Sequence, residues 1–418
     1  MPSSVREESG HPVNTSPAPP STVRPAPVLP YRALIWLAVG TFSTGIDGYV
    51  LAGLLPSIAT DLQVTEALAG QLVSVFALTS ALAAPLLGTV TSGWERRRTI
   101  TLALAVFIVG NLLVAVAPTY AVALGGRVVA ALGGSLLTAA ITGYVIHLAP
   151  PEHRGKALSF VLGGWMTATA LGVPVGLVLG QSSWRFPLIM VAVTGTVALA
   201  GILLKLPRLH LPAGSLADRL RPLRQPRLVA GLLVTTGILC ASYTCFTYAV
   251  LILGPTHQAG WMMIVIMFGY GVASMLGNAV TGRLADRFTP LRVLTVLLVG
   301  LFVDATVGAI AFSVAAPGVI AVLGLVWFFA AGIGNGGAAV PQQARLAAMA
   351  PTSVAIVMAL NGSAISLGSA LGGGLGGLAL TAGVPPPGLL YVAAAVLAVT
   401  LALHGLVARS DQAVAQRN

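Results

Sequence analysis

The chain predicts an all-α polytopic membrane protein with twelve transmembrane helices in two six-helix halves. Three observations carry this. Of its 418 residues 56% are hydrophobic and only 8% charged, with a mean hydropathy of +0.91, whereas a soluble domain of this length needs far more polar surface. Apolar runs of about 20 residues, long enough to cross a hydrocarbon core of roughly 30 Å, recur along almost the whole length. The basic residues fall on one side of these runs when the N-terminus is placed in the cytoplasm. All but two of the 22 Lys and Arg then lie in cytoplasmic segments, the exceptions being Arg127 and Arg185. This asymmetry is what orients helical membrane proteins. The +11 net charge is thereby a rim facing anionic lipid rather than a nucleic-acid surface.

Residues 1–32 form the first segment. Eight of the 27 prolines lie in residues 1–30, with no apolar run, so a disordered cytoplasmic tail is expected. The first apolar segment starts too late and runs too long for a cleavable signal peptide. An N-terminal six-helix bundle follows at 33–206, with spans near 33–55, 67–90, 99–117, 121–148, 157–180 and 185–206. A basic, proline-containing cytoplasmic linker at 207–227 carries Arg208, Arg219, Arg221, Arg224 and Arg227. The C-terminal bundle at 228–409 has spans near 228–252, 260–282, 291–314, 318–341, 353–379 and 388–408, with a cytoplasmic tail at 410–418. Both termini are expected in the cytoplasm of a bacterial plasma membrane, the abundance of Arg over Lys fitting a GC-rich bacterial genome.

Ionisable residues inside spans are costly, roughly 2.5–3.5 kcal/mol at the helix centre on insertion scales, and are rarely kept without a role. Asp47 stands inside the first span and Arg127 inside the fourth. Asp47 is about 21 Å from the cytoplasmic start of its helix and Arg127 about 10 Å from the outer start of its own, at 1.5 Å per residue. Their sum is close to the core thickness, so the two are expected at similar height, each lowering the other's cost. Asp304, about 13 residues into span nine, is a possible second acid; a hydrogen-bonded or snorkelling structural role stands beside a proton-relay role.

Polar and aromatic residues near mid-span are candidates for a substrate cavity: Gln71, Ser74 and Thr79 in the first half, and Tyr243, Phe246, Thr247, Trp327, Asn335, Asn361 and Ser366 in the second. The mixture suits an amphipathic solute. Gly172, Gly176 and Gly180 form a small-residue stripe, as do Gly368, Gly372 and Gly376; such stripes let helices approach closely, and sliding against the opposite half is expected of them. Pro174 predicts a bend in span five. Cys240 and Cys245 read as small packing residues on one helix, and His147 as a polar helix-end residue. No catalytic or metal-ligand spacing is present among the six His, no cofactor is expected, and the protein is not read as an enzyme. Gly332-Ile-Gly-Asn-Gly-Gly fits a dinucleotide fingerprint only by accident, since it lies inside an apolar helix. Gly155-Lys156 lacks the rest of a Walker A, so no ATP motor is evident.

The two halves echo each other. Gly88-Thr-Val-Thr-Ser-Gly-Trp-Glu-Arg-Arg-Arg follows span two, and Gly282-Arg-Leu-Ala-Asp-Arg-Phe-Thr-Pro-Leu-Arg follows span eight. Such a parallel repeat is a secondary-transporter architecture with its site near the midplane. These residues resemble the major facilitator superfamily, in its twelve-span drug:proton antiporter branch. Gly282, Arg283, Asp286 and Arg287 are similar to its motif A, and Gly88, Arg96 and Arg97 to a first-half copy in which Ser92 stands where an Asp is usual. Arg127 with Gly133 resembles motif B. Gly164, Gly172, Pro174, Gly176 and Gly180 resemble motif C, associated with exporters. Gly48 stands where members of the branch often carry Glu.

The resemblance implies a major facilitator fold that exports small amphipathic or apolar compounds, antibiotics among them, by alternating access. It implies exchange for protons through Asp47 and Arg127. The motif A and C residues would control the conformational change, and the partners would be substrate, protons and the bilayer, with a monomer as the unit. A sugar or metabolite exporter of the same superfamily is the rival reading, and a non-transporting membrane sensor or scaffold the remote one.

Overall fold

The structure is a computed structural model that describes residues 31–150, 153–210, 216–254, 261–314 and 317–415. The tail expected at 1–32 falls almost wholly outside these residues, as does part of the linker.

Twelve helices among the described residues are long and apolar enough to span a membrane. They are α1 (Ala33–Asp61), α2 (Glu66–Val90), α3 (Arg96–Ala115), α4 (Tyr120–Leu148), α5 (Arg154–Gly180) and α6 (Phe186–Lys205) in the first half. The second half holds α7 (Pro226–Phe246), α8 (Trp261–Arg287), α9 (Pro290–Val314), α10 (Val319–Met349), α11 (Pro351–Thr381) and α12 (Pro386–Arg409). An even number of crossings puts residues 31 and 409 on one face of the bundle, called here the terminal face, and the other the far face. Large apolar side chains stay exposed around the outside. On α9 these include Val296, Val299, Val303, Val307, Ile310 and Val314, a lipid-facing stripe at helical spacing.

Side-chain oxygens start several helices: Thr65 accepts from the Leu68 N–H at α2 and Glu95 from the Arg97 N–H at α3. Ends differ from the sequence expectation where helices continue past their apolar run. α1 passes through a 3₁₀ turn at Leu51–Leu54 before finishing at Asp61, and α10 runs on to Met349 through Pro341. That extension places Arg345 inside a helix, buried, where it meets His404 of α12 at 3.1 Å; the other ring nitrogen of His404 lies 2.8 Å from the Thr295 hydroxyl of α9. Arg345 is therefore helical and interior, not part of a cytoplasmic loop. Arg185, the other basic residue off the terminal side, donates to Asp61 at 2.5 Å and to the Ala117 carbonyl, tying α1, α3 and α6 at the far face.

Within each half the helices pack through small residues. Gly133 of α4 sits against the Phe107 backbone of α3, and Gly126 against Val114. The stripe Gly172, Gly176 and Gly180 of α5 packs on Ile46, Val50 and Leu54 of α1, and Gly368, Gly372 and Gly376 of α11 pack on α7 at Thr236, Cys240 and Thr244. Both stripes thus hold helices together inside one half, which corrects the expectation that they slide against the other half. Pro174 acts differently from a simple bend. Its ring has no N–H to donate and would collide with the carbonyl four residues back, and the helix answers with a π turn over Ala168–Gly172.

The halves meet toward the far face. There Gly373 of α11 lies on Ser74 of α2, and Gly377 on Gln71. Buried Tyr248 donates to the Gly373 carbonyl at 2.9 Å and reaches the Ala67 carbonyl and the Gln71 amide at 3.5 Å. The short helix Ala249–Leu253 touches the 3₁₀ turn of α1. Near the middle, Gly271 of α8 sits against the π turn of α5 at Thr169 and Ala170.

Candidate functional site

Asp47 and Arg127 come together. Arg127 Nη1 donates to Asp47 Oδ1 at 2.6 Å, and both side chains are fully buried, at 1% or less exposure. Arg127 Nε also donates to the Leu72 carbonyl at 3.2 Å, and its guanidinium lies 4.2 Å over the Phe76 ring. Three helices of the first half thus converge on one ion pair. Leu72 is six residues from the start of α2, so the pair lies in the far-face half of the bundle, at the shared depth that residue counting gave.

The neighbours of the pair set its orientation. α1 is clamped by hydroxyls: Thr41 donates to the Val161 carbonyl of α5 at 2.5 Å, and Ser43 to the Val191 carbonyl of α6 at 2.8 Å. Gly45 lies on Trp165 and Ala168 of α5 with no room for a side chain. α4 is pressed onto α3 by Gly126 and Gly133, which leaves Arg127 to reach α1 and α2. Asp47 Oδ2 is buried without a protein hydrogen-bond donor. One carboxylate oxygen is held by Arg127 and the other is free to take a proton or a donor from a ligand.

A row of rings crosses between the halves beside this pair. Tyr49, two residues after Asp47, stacks edge-on to Phe246 at 5.4 Å and lies 6.3 Å from Tyr243. Phe246 continues to Tyr270 at 5.2 Å, Tyr270 to Phe328 at 6.2 Å, and Phe328 to Trp327 at 4.7 Å. Tyr243, Phe246 and Trp327 were expected at a cavity. Tyr49, Tyr248 and Tyr270 were not, although the closeness of Tyr49 to Asp47 in sequence was a usable sign.

The remaining candidates spread out. Gln71, Ser74 and Thr247 belong to the far-face contact around Gly373 and Gly377. Thr79 and Ser366 are half-buried, and Asn335 lies near Tyr270. Asn361 is buried elsewhere: it accepts from Thr235 at 2.9 Å, and Thr235 in turn accepts from Gln342, a network inside the second half that corrects its placement as a cavity residue. Asp304 is not a snorkelling group at the periphery. It shares the inward face of α9 with Leu301, Ala305 and Gly308, and lines a pocket within the second half.

The residues expected to control the conformational change show a local arrangement. Arg97 donates to the Leu206 carbonyl at 3.1 Å and to that of Leu203, satisfying carbonyls at the end of α6, and Arg96 donates to Ser92. Gly88 is buried at the end of α2. Arg283, Asp286 and Arg287 are exposed at the end of α8, with no ion pair among the described residues, and Gly282 has open space around its Cα. Gly172 closes the π turn that Pro174 follows, and Gly172 and Gly176 make the α1 contact already described. No group of three or more His, Cys, Asp or Glu that could hold a metal lies among the described residues.

A family model described as Major Facilitator Superfamily matches residues 37–305. An uncharacterized MFS-type transporter, YtbD of Bacillus subtilis, is 29% identical over 83% of this chain and 88% of its own length. A chloramphenicol resistance protein of Streptomyces lividans is 33% identical over 64% of this chain and 71% of its own. Among solved structures, a D-xylose-proton symporter superposes with a TM-score of 0.71 at 16% identity, over 90% of this chain and 97% of that one. A twelve-helix architecture in two halves, a matched model over more than half the sequence and a relative aligned over 83% of this chain agree: this chain is a membrane transporter, not an enzyme, and belongs to the major facilitator superfamily.

Proposed function

We propose that this protein exports small amphipathic or apolar compounds, antibiotics of the chloramphenicol kind among them, in exchange for protons, with the terminal face in the cytoplasm. The buried Asp47–Arg127 pair is the observation that carries this reading. A carboxylate held at one oxygen by Arg127 and open at the other has two ways to be neutralised. A proton can take the open oxygen, or Arg127 can hold the charge while substrate parts the rings and rests against Tyr49. If the two states favour opposite openings of the cavity, protonation on one side and release on the other drive exchange. The aromatic row from Tyr49 to Trp327 supports an apolar or amphipathic solute over a sugar, which needs many paired hydroxyl partners. The relative named for chloramphenicol resistance points the same way.

The test is purified protein in liposomes, with an imposed pH gradient and chloramphenicol as the tracer. Asp47→Asn should abolish gradient-driven accumulation while leaving substrate-for-substrate exchange measurable. Undiminished accumulation by that variant overturns the proton assignment.

A further inference from the structure

Asp304 is a carboxylate with no countercharge beside it among the described residues. It is the fifteenth of the 25 residues of α9, near the middle of the span, on the face turned into the second half. No Lys, Arg or His lines the pocket it faces, and no hydrogen bond to its carboxylate is formed among the described residues. An isolated charge at this depth is costly unless something neutralises it. The pocket walls supply a second kind of cation recognition. Phe246, Tyr270, Trp327 and Phe328 all line it, and aromatic faces attract ammonium groups. The room is small: the cavity is about 40 Å³, enough for two or three water molecules. That is room for a primary ammonium head. Asn335 and Ser242 stand on the same wall, near the Tyr270 hydroxyl. The Trp327 Nε1–H is buried without an acceptor and lies against Gly308, one turn beyond Asp304, where a water accompanying the head would accept from it.

The rim of this pocket is shared with the face between the halves. Phe246 and Tyr270 are at once pocket wall and members of the ring row that touches Tyr49. A molecule whose apolar body rests on that row can extend a short amine arm past Phe246 toward Asp304.

We propose that the Asp304 pocket is an ammonium-binding subsite, which selects compounds carrying a protonated primary amine on an apolar body. This deepens the export reading by naming a substrate class, and it does not depend on Asp47 carrying a proton. The test therefore measures binding without any gradient. Purified protein is titrated with 4-phenylbutylamine and with its neutral counterpart 4-phenylbutanol, following tryptophan fluorescence and calorimetry. The wild type should bind the amine about 10-fold more tightly than the alcohol, the worth of roughly one well-placed charge contact. Asp304→Asn should erase that preference and leave the alcohol's affinity within about twofold. No proton gradient is present, so the preference in Asp304→Asn reads this subsite alone, while the gradient-driven assay of Asp47→Asn reads the proton assignment. If Asp304→Asn does not fold, Trp327→Leu serves, since it removes an aromatic face and spares the carboxylate; the amine preference should then fall severalfold. An unchanged preference in these variants, or equal weakening of amine and alcohol, overturns the proposal.

Discussion

The Asp47–Arg127 pair has opposite consequences for stability and for transport. Removing one partner leaves the other charged and buried, a loss of about 3–5 kcal/mol for such pairs, whereas removing both can be nearly neutral. Arg127→Met should therefore lower the melting temperature in detergent sharply, and Asp47→Asn combined with Arg127→Met should recover most of it. Gradient-driven export should stay absent in both. A double variant as unstable as Arg127→Met alone would show that Arg127 acts through Leu72 and Phe76 rather than through the acid. These two residues were legible in the sequence because charge is rare inside apolar runs and helix rise converts position into depth. Tyr248 was not, since its worth lies in reaching Gly373 across 125 residues, and nothing in its own neighbourhood signals that partner. The same limit hid the Arg345–His404 contact, whose helix outruns its apolar segment.

At the scale of helices, glycines that look alike in sequence do different things. Gly176 and Gly271 both lack room for a methyl group. Gly176 meets the Val50 side chain within its own half, with a Cβ 2.7 Å from Cγ2, while Gly271 meets the Thr169 carbonyl and Ala170 Cα of the other half at 2.7 and 2.8 Å. A side-chain neighbour can rotate away, but a helix backbone cannot. Gly176→Ala should cost stability and leave transport kinetics little changed. Gly271→Ala should push α8 off the π turn of α5, disfavouring this conformation and slowing exchange without lowering the melting temperature much. Maleimide labelling of a cysteine at Gln71 should then rise in Gly271→Ala relative to Gly176→Ala; equal labelling would remove α5–α8 from the conformational change. The periodic spacing of these glycines is visible in the sequence. Which neighbour they meet depends on helix rotation, which the spacing alone leaves open, and for that reason the stripes were expected to face the wrong way.

Among the described residues, the contacts between halves gather from the ring row at mid-depth up to Tyr248, Gln71 and Gly377, whereas the exposed Arg283, Asp286 and Arg287 make no ion pair with any of these residues at the terminal face. A transporter that exposes its site alternately must break the first set of contacts in every cycle. One pair reports this directly. A Cβ built on Gly373 lies 3.6 Å from the Ser74 Cβ, inside the 3.5–4.5 Å range that a disulfide requires. Ser74→Cys with Gly373→Cys should therefore cross-link readily, and Cys240 and Cys245, both buried on α7, should not compete. Oxidation should stop substrate exchange and reduction should restore it, because the bond holds the far face shut while leaving each half intact. Each single cysteine variant under the same oxidant should transport normally. If the cross-linked protein still exchanges substrate at the rate of the reduced one, the α2–α11 contact does not part during transport. The moving boundary would then lie elsewhere, and the aromatic row could not be a wall of the path.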